Sequence, residues 1–107
     1  MRTHRFIPKI RVCGHDVKIE ETDFDGSGLA MGRSCTIKGR ILLRGDLPPT
    51  QKAGVLLHEI FHMMADLNGM PEISGNETVI SVLANSTLAL IRDNRKLVED
   101  ILNLPKV

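Results

Sequence analysis

Midway along the chain the patterning of apolar residues changes character. Before Gly45 they alternate with polar ones, as at Ile10 and Val12 and again at Val17 and Ile19. After Pro49 they run almost all round one helix, through Val55, Leu56, Leu57, Ile60, Phe61, Met63, Met64, Ala65 and Leu67. They then recur at helical spacing through Ile80, Leu83, Ala84, Leu88 and Ile91. Alternation marks a half-buried strand, and the longer spacing marks a helix with a packed face. Strands followed by helices predict an α+β domain. Its expected form is a small antiparallel sheet of three or four strands, packed against a first helix and a backing helix, with a short C-terminal helix. A length of 107 residues, 42% of them hydrophobic, suits a single domain over residues 1–107 with one core.

Punctuation along the chain refines this. Residues 9–13 and 17–22 flank Gly14-His15-Asp16 and read as a hairpin. Residues 23–28 form a turn-rich loop. Residues 29–37 and 40–44 read as a second hairpin around Lys38-Gly39, although Gly32 interrupts the first of these strands. Pro48-Pro49-Thr50 opens a helix that runs to about Asn68, with Gly69 as its stop. A connection containing Pro71 covers residues 70–75. A second helix follows over 77–92, and a short third over 95–104 before Pro105.

The strongest chemical signal is His58-Glu59-Ile60-Phe61-His62. Histidines four apart share a helical face, so both imidazoles can reach one metal ion. Glu59 is one step round and can contact the attacking water instead of the metal. Zinc in such a site brings a water pKa down to roughly 7, and a neighbouring carboxylate can take the proton and pass it to a leaving amine. The surrounding helix is so apolar that it should be buried, and burying two imidazoles and a carboxylate without partners is unfavourable. A single zinc ion resolves that conflict. The bland alternative is a pair of core histidines hydrogen-bonded to backbone beside a salt-bridged Glu59.

A zinc hydrolase needs a third protein ligand and one open position. Ala65 and Asn68 stand where an extended motif would require Gly and His, which disfavours that class. Asp66 lies on the same face as His62. Three ligands on one straight helix would spread over about 12 Å, so Asp66 suits a supporting role better. Glu72, in the connection, stays a candidate. Glu77 is preferred, because it opens the second helix on the stripe that continues through Ile80 and Ala84 and so should face the first helix. Its competing role is local: Ser74-Gly75-Asn76-Glu77 has the form of a capping box, and a Glu in a first turn suits the helix dipole.

Other function classes find little support. The front half is mildly basic and the back half mildly acidic, but no stripe of Lys and Arg lies along one helix, so nucleic acid is not expected as a partner. Phe6, Phe24 and Phe61 are the only aromatic residues, which argues against a platform for stacking bases. Cys13 and Cys35 do not make a disulfide framework, and two reduced, buried thiols in a cytoplasmic protein are expected. Arg2, His4, Arg5, Lys9 and Arg11 interrupt any apolar run near the start, and no stretch reaches transmembrane length, so neither a signal peptide nor a membrane is expected.

The run Leu56-Leu57-His58-Glu59-Ile60-Phe61-His62, followed by Glu77, Leu83-Ala84-Asn85 and Ile91-Arg92-Asp93-Asn94, resembles small phage and prophage metallopeptidases of the ImmA/IrrE-like, minimal gluzincin type. The resemblance covers roughly residues 40–97, and the metal motif is its specific part. It implies a short sheet against an active-site helix and a backing helix. It also implies a zinc site of two His and one Glu: His58 and His62 as ligands, Glu59 as base and Glu77 as third ligand. Larger members place that glutamate three residues before an Ala-Asn pair, where this chain has Ser81. Related enzymes also supply a Tyr or His after the motif to steady the oxyanion. This chain has no Tyr and no His beyond His62, which leaves His15, His4, an Arg or the metal itself for that task.

Two readings follow. The first is a zinc metallopeptidase that takes an extended peptide or protein substrate along an exposed sheet edge, with regulatory cleavage suggested by the resemblance. The second is a catalytically inactive, zinc-stabilised binding or regulatory module, phage-encoded, with Arg2, Arg5, Lys9 and Arg11 as a partner surface or simply a solvated terminus. Coordination separates them, since a closed four-ligand ion favours structure and an open position beside Glu59 favours hydrolysis.

Overall fold

A computed structural model describes residues 7–22 and 31–105. It contains strands β1 (Lys9–Val12), β2 (His15–Thr22), β3 (Gly32–Cys35) and β4 (Arg40–Arg44). Helices α1 (Pro49–Leu67), α2 (Pro71–Ser74), α3 (Glu77–Asp93) and α4 (Arg95–Leu102) follow. The α+β class and the strands-then-helices order agree with the sequence reading, including the short C-terminal helix. The basic residues Arg2 and Arg5 and the loop expected over 23–28 lie outside the described residues.

The sheet is mixed, where an antiparallel one was expected. Its order is β1-β2-β4-β3; β1–β2 and β3–β4 are antiparallel, but β2 and β4 run parallel, with Ile19 opposite Ile41 and Glu21 opposite Leu43. The cause is hydrophobic. Val17, Ile19, Ile41 and Leu43 carry the buried inward row, so β2 and β4 take the centre. The short, polar Gly-Arg-Ser-Cys of β3 goes to an edge. Ile41 and Leu43 are fully buried, each contributing about 1.5–3 kcal/mol of apolar burial.

Both hairpin turns shift from their expected places. The first is the two-residue link Cys13-Gly14, since Val12 already pairs with His15. Both residues have positive φ, 49° and 82°, as a tight turn matching the twist of the strands requires. The second turn occupies Thr36 to Gly39. Cys13 and Cys35 are therefore exposed and free, one in a turn and one at the end of an edge strand, and the buried thiols expected from the sequence are not found.

Helix α1 packs on the sheet through Met63, with Val55, Leu56, Ile60 and Leu67 against the same core. It is less enclosed than its composition suggests. Only Lys52, Glu59 and Met63 are buried, because the sheet covers one side and α3 a second, leaving a third side open. In α3 the packed stripe is narrower than expected. Ile80 and Ala84 are buried, whereas Leu83 and Ile91 are exposed. No described helix is long and apolar enough to cross a membrane.

One ion pair lies deep in the fold. Glu21 continues the inward row of β2 after Val17 and Ile19, and Lys52 of α1 meets it at 2.5 Å, with side-chain exposures of 0% and 7% for Lys52 and Glu21. Lys52 Nζ also donates to the carbonyl of Gly45 at 3.3 Å.

Candidate metal centre

The open side of α1 carries His58 and His62, four residues apart and so on one face. The chain reverses just beyond. Helix α2, a single turn where the sequence suggests a plain connection, starts at Pro71 and folds the chain back. Asn76 then caps α3, its side-chain oxygen accepting from the Val79 N–H at 3.1 Å. The cap is Asn76 and not Ser74, so the capping box does not form, and Glu77 is released to face α1 as the first residue of α3.

Three side chains meet there. Glu77 Oε2 lies 2.9 Å from His58 Nε2, and Glu77 Oε1 lies 2.8 Å from His62 Nε2. The two Nε2 atoms are 3.2 Å apart, with the rings edge-on. One ligand atom from each of the three residues falls within 4.8 Å of the others. Bonds of 2.0–2.1 Å at tetrahedral angles put ligand atoms roughly 3.3 Å apart, so this spacing fits one zinc-sized ion with slight expansion. With Nε2 protonated on one ring that contact is a hydrogen bond; with an ion in the site both Nε2 lone pairs would face it.

Ser74 supports the arrangement. Its hydroxyl donates to the backbone carbonyl of His62 at 3.4 Å, and its oxygen is 3.4 Å from His62 Nδ1. With that hydroxyl proton on the carbonyl, Ser74 Oγ accepts from Nδ1–H. His62 Nε2 is then left with the lone pair that a metal requires, the usual use of an outer hydrogen bond at a metal histidine.

Glu59 stays out of the triad. It is buried at 8% exposure, under edge strand β3. Gly32 lets the strand come that close. A Cβ there would stand 2.5 Å from Val55 Cγ1 and 3.2 Å from Glu59 Cγ. Ser34 hydrogen-bonds the carboxylate. Burial pushes the Glu59 pKa above the ordinary carboxylate value, and Glu77 adds to this, while His58, His62 and the Ser34 bond pull partly the other way. That direction belongs to the metal-free site; a divalent ion at the triad would pull the carboxylate down again, leaving Glu59 an unprotonated acceptor beside the attacking water.

The remaining sequence candidates separate. Asp66 accepts a hydrogen bond from Thr36 at 3.0 Å and does not join the triad. Glu72 is exposed on α2 and also stays outside it. His15 lines a different hollow with Met63 and Leu67, so it does not reach the centre, and His4 lies outside the described residues. From the sequence, Ser34 is not expected at the site, Ser74 is expected only as a helix cap, and Asn85 enters only as part of the family-like pattern. Only Gly32 gave a signal, since a glycine inside a strand often marks a close approach.

The triad opens into a cleft of about 720 Å³. Its floor is α1, from Thr50 and Gly54 through His58 and His62 to Asp66. β3 forms one wall, and α3 forms the other through Ser81, Asn85 and Leu88. Comparison of the chain with protein-family models, curated proteins and solved structures finds no match.

Proposed function

We propose that the chain is a zinc-dependent metallopeptidase. The observation that carries this reading is the convergence of His58, His62 and Glu77 on one point, with the buried carboxylate of Glu59 beside it and uncommitted to the triad. A divalent ion held by the three residues supplies a Lewis acid that acidifies water and polarises a carbonyl. Imidazole and carboxylate ligands suit zinc, though they accept other divalent ions. Glu59 takes a proton from the attacking water as the water oxygen bonds to the scissile carbonyl carbon. It then delivers that proton to the amide nitrogen as the carbon–nitrogen bond breaks. Ser81 and Asn85 on the α3 wall are the polar side chains available to steady the carbonyl oxygen, a task for which the chain has no tyrosine. β3 has an edge unpaired by any described strand, which suits an extended peptide added as a further strand. On this reading the protein works in the cytoplasm, on a peptide or protein of the same cell.

The test is Glu59→Gln, assayed for peptide hydrolysis alongside zinc content. Hydrolysis should fall by roughly 10²–10⁴-fold while zinc stays bound. Full activity in the variant would refute the base, and a zinc-bound protein that cleaves no peptide would favour an inert, zinc-stabilised module.

A further inference from the structure

The cleft has a direction, and its two ends differ in charge. Four contacts order β3 along α1: Gln51 with Met31, Val55 with Gly32, Glu59 with Ser34, and Asp66 with Thr36. β3 therefore runs parallel to α1. α3 runs the opposite way, with Glu77 at the histidines and Leu88 3.9 Å from the position a Cβ would take on Gly54. One turn further, beside the start of α1, Arg92 closes the cleft. It is exposed, and no carboxylate or carbonyl among the described residues pairs with it. The opposite end holds Asp66.

We propose that the cleft selects extended peptides bearing a carboxylate that docks on Arg92, roughly three to four residues to the C-terminal side of the scissile bond. This deepens the metallopeptidase reading and rests on it. The distance follows from the helix. Thr50 is about 12–15 Å from the triad along α1 at 1.5 Å per residue, and helical side chains lean towards their own N-terminus, so Arg92 reaches back along the cleft. An extended peptide covers that span in roughly three to four residues at about 3.4 Å each. The side follows from pairing. Antiparallel addition to β3 is the commoner and slightly stronger mode, and it points the peptide C-terminus towards Met31, Gln51 and Arg92. The carboxylate is that of an Asp or Glu side chain or of a free C-terminus. A cation in the last turn of α3 also complements the helix dipole, but that role makes no demand on the peptide.

The experiment uses peptides from a digested cell extract, with half the pool amidated at carboxylates on the C-terminus only. Zinc-loaded full-length protein is incubated with the pool and cleavage sites are read by mass spectrometry. Peptides retained by immobilised Glu59→Gln protein are sequenced in parallel. Asp and Glu should be enriched about three- to fivefold at the third or fourth position after the cleaved bond, the range of an exposed ion pair. Arg92→Gln should abolish the enrichment, Arg92→Lys should keep most of it, and Arg92→Glu should turn it towards Lys and Arg. Cleavage concentrated three or four residues before the C-terminus in the unamidated half, and lost in the amidated half, would assign the carboxylate to a free C-terminus. Cleavage with neither an acidic nor a C-terminal preference, or a preference indifferent to Arg92, overturns the selectivity and leaves the peptidase standing. Retention governed by Arg92 without any cleavage keeps the selectivity and sinks the peptidase. Neither cleavage nor retention sinks both.

Discussion

Lys52 and Glu59 lie two turns apart on α1, and both are buried charges, yet their surroundings differ in kind. Lys52 is fully enclosed and meets an opposite full charge, Glu21, with a backbone carbonyl beside it. Glu59 has, among the described residues, a hydroxyl from Ser34 and the flank of a glycine beside it. Its neighbouring imidazoles are turned to Glu77. The first arrangement holds a charge in place and ties β2 to α1. The second places a mostly buried carboxylate at the wall of the cleft, where burial raises its proton affinity in the metal-free site. A buried charge with its counter-charge reads as structure; a buried charge held by a weak donor at the wall of a cleft reads as chemistry.

That contrast can be broken at several points. The largest effect falls on catalysis: Glu59→Gln, losing roughly 10²–10⁴-fold in hydrolysis, should unfold in urea close to the parent midpoint, because the amide keeps the shape and the Ser34 contact. A large loss of stability would move Glu59 into the structural class. Next comes Lys52→Met. Removing the Lys52 cation from the buried Glu21 carboxylate should cost up to about 3–5 kcal/mol in urea unfolding, and Lys52→Met combined with Glu21→Met should recover much of it. If Lys52→Met is as stable as the parent, the pair ties nothing together. Gly32→Ala is smaller. The new methyl must displace Val55 or the edge strand, at about 1–3 kcal/mol, and should lower hydrolysis through the shift at Glu59; Val55→Ala in the same chain should relieve part of both. Smallest is Asn76→Ala, which removes the cap of α3 at about 1 kcal/mol by thermal unfolding and should weaken zinc retention through Glu77.

The residues of the candidate centre were largely legible in the sequence because their relations are local. His58 and His62 are set by helical periodicity, and Glu77 by its place on the α3 stripe that meets α1. What could not be read depends on distant pairing. Lys52 and Glu21 are 31 residues apart, and nothing at either position announces the other. The parallel β2–β4 pair follows from which strands carry enough apolar surface to be central, a competition among all four. Two hairpins, read one at a time, could only suggest an antiparallel sheet. The Cys13-Gly14 turn was misplaced by one residue because Gly14 fits either register, and only the pairing of Val12 with His15 decides between them. Expected burial of α1 failed for a related reason. Its apolar surface counts the sides it could bury, and the cleft keeps one of them open.

The central claim is a single ion held by two imidazoles and one carboxylate, and X-ray absorption at the zinc edge on the purified full-length chain tests it most directly. One zinc per chain is predicted, with two imidazole nitrogens, oxygen from Glu77 and a further light atom, all at about 2.0–2.2 Å. Glu77→Ala should lose zinc or exchange its carboxylate oxygen for solvent. Sulfur at about 2.3 Å from Cys13 or Cys35, or a chain that takes up no zinc at all, would contradict the account.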